Sequence, residues 1–164
     1  MIYRLAKETD IDKICSLIKN AIKVMENQQI FQWDSLYPTK ADFLGDIQKQ
    51  QLFVGLNNND IAVIYALNKD SDTQYEKGNW KYPDSKYRVI HRLCVNPEYQ
   101  NRGIAKITLL HIEKELSEMG VQTIRLDVYS NNLFALSLYQ NNGYEKVGSA
   151  DWRKGKFYLM EKHI

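Results

Sequence analysis

An α/β fold, in which helices cover a mixed sheet, is predicted by three features of the 164-residue sequence. Apolar, β-branched runs alternate along the chain with stripes of apolar residues at helical spacing. Between Tyr87 and Tyr129 a strand, a helix and a second strand follow one another, an order that needs a crossover and therefore a parallel pair. Leu52 to Leu56 and Ile61 to Leu67 are joined by Asn57, Asn58, Asn59 and Asp60, which suit a tight turn between antiparallel strands. Both kinds of pairing in one chain make the sheet mixed.

The elements follow in order. Ile2 to Ala6 is a short strand, and Thr9 with Asp12 starts the first helix. Ile11, Ile14, Cys15, Ile18, Ile22 and Met25 then form one apolar face. Asn27 to Pro38 has no clear period and carries Phe31, Trp33 and Tyr37; Thr39 caps a second short helix through Phe43, Leu44 and Ile47. After the hairpin, Asn68 to Lys86 is polar and broken by Gly78 and Pro83, a long loop that is either a lid or a mobile excursion. Tyr87 to Val95 is a strand stopped by Asn96 and Pro97.

From Gly103 the period turns helical through Ala105, Leu109, Ile112, Leu116 and Met119, and Gly120 stands where a C-terminal cap belongs. Ile124 to Tyr129 is a strand, Asn132 to Asn142 a helix ended by Gly143, and Tyr144 to Val147 and Lys156 to Met160 are the last strands. The predicted order is β-α-α-β-β-β-α-β-α-β-β. The length suits a single domain over residues 1–164, against about 150 residues per domain.

Composition narrows the partners. The chain is 44% hydrophobic and 26% charged, which suits a folded globular domain. Its 22 Lys and Arg against 20 Asp and Glu leave a net charge of +2, too small for holding nucleic acid by charge alone. Cys15 and Cys94 sit inside apolar runs without the neighbours that zinc needs, so both are read as buried thiols of a reducing compartment and no metal is expected. No apolar stretch approaches the roughly 18 residues of a membrane span, and MIYRLAKETD lacks the apolar segment of a signal peptide. A cytoplasmic protein is predicted.

One junction carries chemistry. Val95-Asn-Pro-Glu-Tyr-Gln-Asn-Arg-Gly-Ile-Ala105 runs from a strand end through a loop into the strongest helix. The start of a helix leaves amides without intrahelical partners at the positive end of the dipole, which suits a phosphate or diphosphate. Gly103 permits close approach, Ala105 is small, and Arg102 and Lys106 add positive charge. Neither a P-loop nor a G-x-G-x-x-G fingerprint is present.

Asn132, Ala135, Leu138, Tyr139, Gly143 and Tyr144 read N-x-x-A-x-x-L-Y-x-x-x-G-[FY]. Together with Gln100-x-x-Gly103-x-Ala105 and the Leu93-Cys94-Val95 strand end, this resembles the GNAT superfamily of acetyl-CoA-dependent N-acetyltransferases. The specific motifs cover Leu93 to Tyr144; before Tyr87 the likeness is one of element order. Ala105 departs from the glycine that many members carry there, although alanine is a familiar alternative.

The resemblance implies a GNAT-like fold with about four helices flanking the sheet, and acetyl-CoA as co-substrate. The strand Tyr87 to Val95 would splay from Ile124 to Tyr129, with backbone groups of Leu93, Cys94 and Val95 holding the pantetheine arm. Asn101, Arg102, Gly103, Ile104, Ala105 and Lys106 would receive the diphosphate, Gln100 before them would also belong to the cofactor site, and Asn132 would orient the arm. Tyr139 would protonate the leaving thiolate while an N–H near Leu93 stabilises the oxyanion. His91 and Asp127 compete as the base that deprotonates the amine, or each is a hydrogen-bonded strand residue. Trp33, Asp34 and Tyr37 either wall the acceptor site or anchor a loop.

The expected acceptor is a small-molecule amine, with a protein N-terminus or lysine, or a non-catalytic CoA-binding sensor or partner domain, as alternatives. Neither nucleic acid nor membrane is expected as partner, and a homodimer is compatible with this reading.

Overall fold

The computed structural model describes residues 1–164. Seven strands make a mixed sheet in the order β1-β2-β3-β4-β5-β7-β6, accompanied by four α-helices, and the order of elements along the chain is the predicted one. The chain forms two compact units, each from two segments: Met1–Leu67 with Arg92–Thr108, and Asn68–His91 with Leu109–Ile164. No helix is long and apolar enough to cross a membrane.

In the first unit, β1 (Ile2–Leu5) pairs antiparallel with β2 (Leu52–Asn57), which pairs antiparallel with β3 (Asp60–Asn68). Asn58 and Asn59 take φ values of 48° and 68°, the two left-handed positions of a twisted hairpin turn, which explains the run of asparagines. Against this sheet α1 (Ile11–Asn27) buries Ile11, Ile14, Leu17, Ile18 and Ala21, and α2 (Lys40–Gln48) buries Phe43. Cys15 and Ile22 lie at the margin of that face rather than in its centre.

The start of α1 differs from the expected Thr9 and Asp12 signal. A 3₁₀ turn, Glu8–Asp10, precedes the helix, and the Asp10 carboxylate accepts from the Lys7 N–H at 2.8 Å while Arg4 grips both its oxygens at 2.7 and 2.9 Å. Arg4, six positions earlier, thus helps to fix the carboxylate that holds the start of the turn. Thr39 does cap α2, in a reciprocal box with Asp42.

In the second unit, β5 (Thr123–Tyr129) pairs parallel with β4 (Tyr87–Val95) from Tyr87↔Thr123 to Ile90↔Leu126, as the crossover requires. On its other side β5 pairs antiparallel with β7 (Gly155–His163), and β7 with β6 (Glu145–Trp152). The last two strands are longer than predicted. Gly148 to Asp151 lack an apolar alternation because β6 is an edge strand with a bulge between Lys146 and Gly148.

The helix α3 (Ile104–Glu118) buries Ile104, Thr108, Leu109, Ile112 and Leu116. Ala105 is only half-buried and Met119 lies outside the helix, 61% exposed, so the stripe is shifted from the expected one. Gly120, at φ 72°, ends α3, and α4 (Leu133–Asn141) follows β5 with Asn132 as its cap.

The segment between β3 and β4 is anchored, contrary to a mobile excursion. Thr73–Lys77 is a 3₁₀ turn that buries Tyr75 to 4% exposure against Val89, Val147 and Leu159. Trp80 stacks on Tyr75 and donates to its carbonyl at 2.8 Å. The Lys81 N–H binds Glu161, which also pairs with the buried Arg125.

Candidate active site

The end of β4 leads into a loop built by its own polar side chains. Asn96 accepts from the Glu98 N–H and donates to the Ile61 carbonyl, while Gln100 reaches back to the Val95 carbonyl at 3.3 Å. Gln100 therefore shapes the loop. Asn101 and Gly103 take φ values of 60° and 74°, so the chain turns twice through the left-handed region before α3 begins. The first bond of the α3 ladder here runs from the Ile107 N–H to the Gly103 carbonyl at 3.0 Å, so the amides of Ile104, Ala105 and Lys106 precede it.

A Cβ added to Gly103 would meet nothing within 4 Å. That open space above helix-start amides, with Arg102 and Lys106 exposed on either side, fits a diphosphate. Arg102 lies over the Tyr99 ring, 5.4 Å from its centroid. Ile104 packs with Ala62 and Val63, and Leu93 and Val95 pack against the same cluster. Of Ile104 only the backbone can face a ligand. Burial alone pushes the Cys94 thiol up to about 12, which leaves it an inert core residue.

Just before Leu93, Arg92 takes φ 52°, a region that costs a bulky residue about 1–3 kcal/mol. Its guanidinium pairs with Asp46 on α2 and donates to the Tyr37 hydroxyl at 2.8 Å. Burial opposes the charged guanidinium, and Tyr37 and Asp46 more than offset it, so the group sits above its ordinary value. Neither Arg92 nor Asp46 emerges from sequence reasoning. One signal lies in the sequence, because the adjacent polar residues His91 and Arg92 break the alternation of the strand between Ile90 and Leu93.

The residues expected to border the acceptor lie in the same unit. Trp33 packs on the main core, and the Asp34 carboxylate accepts from the Leu36 N–H at 2.9 Å within a turn closed by the Asp34 N–H and the Tyr37 carbonyl. Tyr37 is 39% exposed beside Arg92.

The second unit holds the proton-transfer candidates. His91 and Asp127 are the next residues on their strands after the last pair of the β4–β5 ladder. Both are held by the segment that precedes β4. His91 Nε2 lies 2.9 Å from Asn68 Oδ1 and 3.1 Å from the Asp70 carbonyl. Both partners are oxygens and a carbonyl only accepts, so Nε2 is the ring nitrogen placed to donate. Asp127 accepts from the Tyr75 hydroxyl at 2.7 Å. Burial, with Asp127 second, pushes the Tyr75 hydroxyl well above its ordinary value and keeps it a donor.

Tyr139 is 7% exposed on α4, edge-to-face with Tyr144 at 5.6 Å. Asn132 caps α4 by accepting from the Ala135 N–H at 3.0 Å, a structural duty the motif alone does not reveal.

A mixed seven-stranded sheet in this order, with four α-helices, is the α/β architecture of acetyltransferase folds. Residues 25–144 match the model of the acetyltransferase (GNAT) family, and the chain belongs to that family. It is 33% identical to the ribosomal protein bS18-alanine N-acetyltransferase of Escherichia coli K12 over 59 residues, 36% of this chain and 40% of that protein. To the spermidine N(1)-acetyltransferase of Thermoplasma acidophilum it is 38% identical over 71 residues, 43% of this chain and 42% of that one. These matches span about two fifths of either relative. A GNAT-family acetyltransferase structure from Streptococcus agalactiae superimposes with a TM-score of 0.87, at 22% identity, covering 99% of this chain and 95% of that one, and so shares the fold.

Proposed function

We propose that the protein transfers the acetyl group of acetyl-CoA to a primary amine of a small molecule. The observation that carries this reading is Gly103: left-handed, open above its Cα, and placed at the head of α3 within the family match. The amides that follow it, with Arg102 and Lys106, hold the diphosphate, and Asn101 shapes their approach. Backbone groups of Leu93, Cys94 and Val95 hold the pantetheine arm, which Asn132 orients.

Positioning supplies most of the rate. The Leu93 N–H stabilises the charge that develops on the thioester oxygen as the amine attacks, and Tyr139 donates its proton to the departing sulfur. The amine loses its own proton through water to a side chain, for which His91 is favoured because an imidazole titrates near the working pH. Asp127 is the other candidate, and its carboxylate accepts from the Tyr75 hydroxyl. The spermidine enzyme among the relatives supports a small amine; the alanine-modifying one supports a peptide N-terminus.

Calorimetry with acetyl-CoA and thiol release across a panel of amines test the reading together. The wild type should bind and turn over. Gly103→Gln, confirmed as folded by circular dichroism, should bind at least about tenfold more weakly, because its side chain enters the space the diphosphate needs. Unchanged affinity in that variant sinks the loop assignment, whereas binding without turnover on any amine or peptide identifies a sensor instead of an enzyme.

A further inference from the structure

We propose that Arg92 is a positioning residue for acyl transfer, its clamped guanidinium holding β4 in the left-handed turn that aims the Leu93 N–H. The inference rests on the acetyl-transfer reading above. It is carried by two local costs that coincide on one residue. The first is the backbone: at φ 52° Arg92 stands in a region that a non-glycine residue keeps only when its surroundings over-determine it. The second is the side chain, which is 12% exposed and leaves its Nε buried without a hydrogen-bond partner. Buried ion pairs of this kind are poor devices for stability, because an apolar packing of the same volume does as well or better. Strain and incomplete pairing at one residue, directly before the proposed oxyanion donor, point to a geometric duty.

The clamp is itself held from outside the strand. Asp46, 8% exposed, is fixed by the course of α2, whose start is secured by the Thr39–Asp42 capping box. Tyr37 is fixed by the turn that Asp34 closes, and it meets Arg92 both through its hydroxyl, at 2.8 Å, and under its ring centroid, at 5.9 Å. Two anchors from separate elements therefore converge on one guanidinium. A planar fork with several donors can serve both at once, which lysine's single ammonium cannot reproduce. Released from them, residue 92 should relax towards ordinary strand geometry and swing the following N–H with it.

Crystal structures and steady-state kinetics of Arg92→Ala, Arg92→Gly and Asp46→Asn test this. In Arg92→Ala residue 92 should leave the left-handed region, and kcat should fall by about 10–100-fold while the KM for acetyl-CoA changes less than about twofold. Arg92→Gly should keep the turn, since glycine takes a positive φ freely, and recover several-fold of the lost kcat. That rescue is not expected of a residue that merely packs. Should Arg92→Ala fail to fold, Asp46→Asn removes the ion pair at constant volume and carries the same expectation.

An alanine variant that keeps the turn, or loses it without loss of kcat, overturns the positioning role while acetyl transfer stands. Wild-type protein that releases no thiol with any amine overturns both.

Discussion

Tyr139 shows how far a single hydroxyl can be separated from the packing around it. Its ring is buried on α4 and meets Tyr144 edge-to-face at 5.6 Å, so the aromatic contact belongs to the core, while the hydroxyl is the part proposed for chemistry. Tyr139→Phe keeps the ring. Acetyl-CoA affinity should therefore be unchanged by calorimetry, while turnover on a responsive amine falls by about 10²–10⁴-fold. A fall of less than threefold removes Tyr139 from the role of acid. Tyr139 is legible because its motif is local, whereas Arg92 and Asp46 meet across 46 positions and no motif joins them. Buried charge pairs are chosen by tertiary neighbours, and only the broken alternation of β4 betrays one partner.

The segment from Asn68 to Lys77 contacts both side chains proposed to take the amine's proton. It grips His91 through Asn68 and Asp70, and Asp127 through Tyr75. A base must be unprotonated, so activity falls as pH drops through its folded pKa. For a histidine that starts from about 6.5. The acidic limb of the rate profile should vanish in His91→Asn and persist in Asp127→Asn. Tyr75→Phe adds a sharper comparison. It removes the hydroxyl from which Asp127 accepts, so a limb set by Asp127 should change in this variant, while one set by His91 stays in place. A limb that survives every substitution and follows the basicity of the amine means that the enzyme selects unprotonated substrate. The polar composition from Asn68 to Lys86 suggests a loose loop because its anchors, Tyr75, Trp80 and Lys81, bind partners outside it, at Val147, Leu159 and Glu161. Helices and the Asn58–Asn59 hairpin were readable for the opposite reason: their period and turn residues act over a few positions. The ends of β6 and β7 escaped notice because pairing, not side-chain pattern, extends them.

At the scale of the whole molecule, stability should form a plateau bounded by different groups on its two sides. On the acid side stands Asp10, whose carboxyl is held below its ordinary value chiefly by the Arg4 hydrogen bonds, with burial opposing. Its contribution is complete above the unfolded carboxylate value of about 3.9 and is lost as pH falls through the lower folded value. There the unfolded chain takes up the proton first, so stability rises with pH. On the alkaline side the sign reverses. Burial raises Cys94 to about 12 and Tyr75 well above its usual range. The unfolded thiol ionises from about 8.5, while the folded one keeps its proton, so the unfolded state binds fewer protons and stability falls as pH rises. Cys94 lies in the first compact unit and Tyr75 in the second, so both should weaken in alkali. Urea midpoints measured from pH 3 to pH 11 should show both slopes. Asp10→Asn should flatten the acid slope, at a cost of about 1.5–3 kcal/mol near neutrality for a lost charged hydrogen bond. Cys94→Ala should flatten part of the alkaline slope and leave the acid one intact. If the alkaline slope of both Cys94→Ala and Tyr75→Phe equals that of the wild type, ionisation of these buried groups is not what limits the fold at high pH.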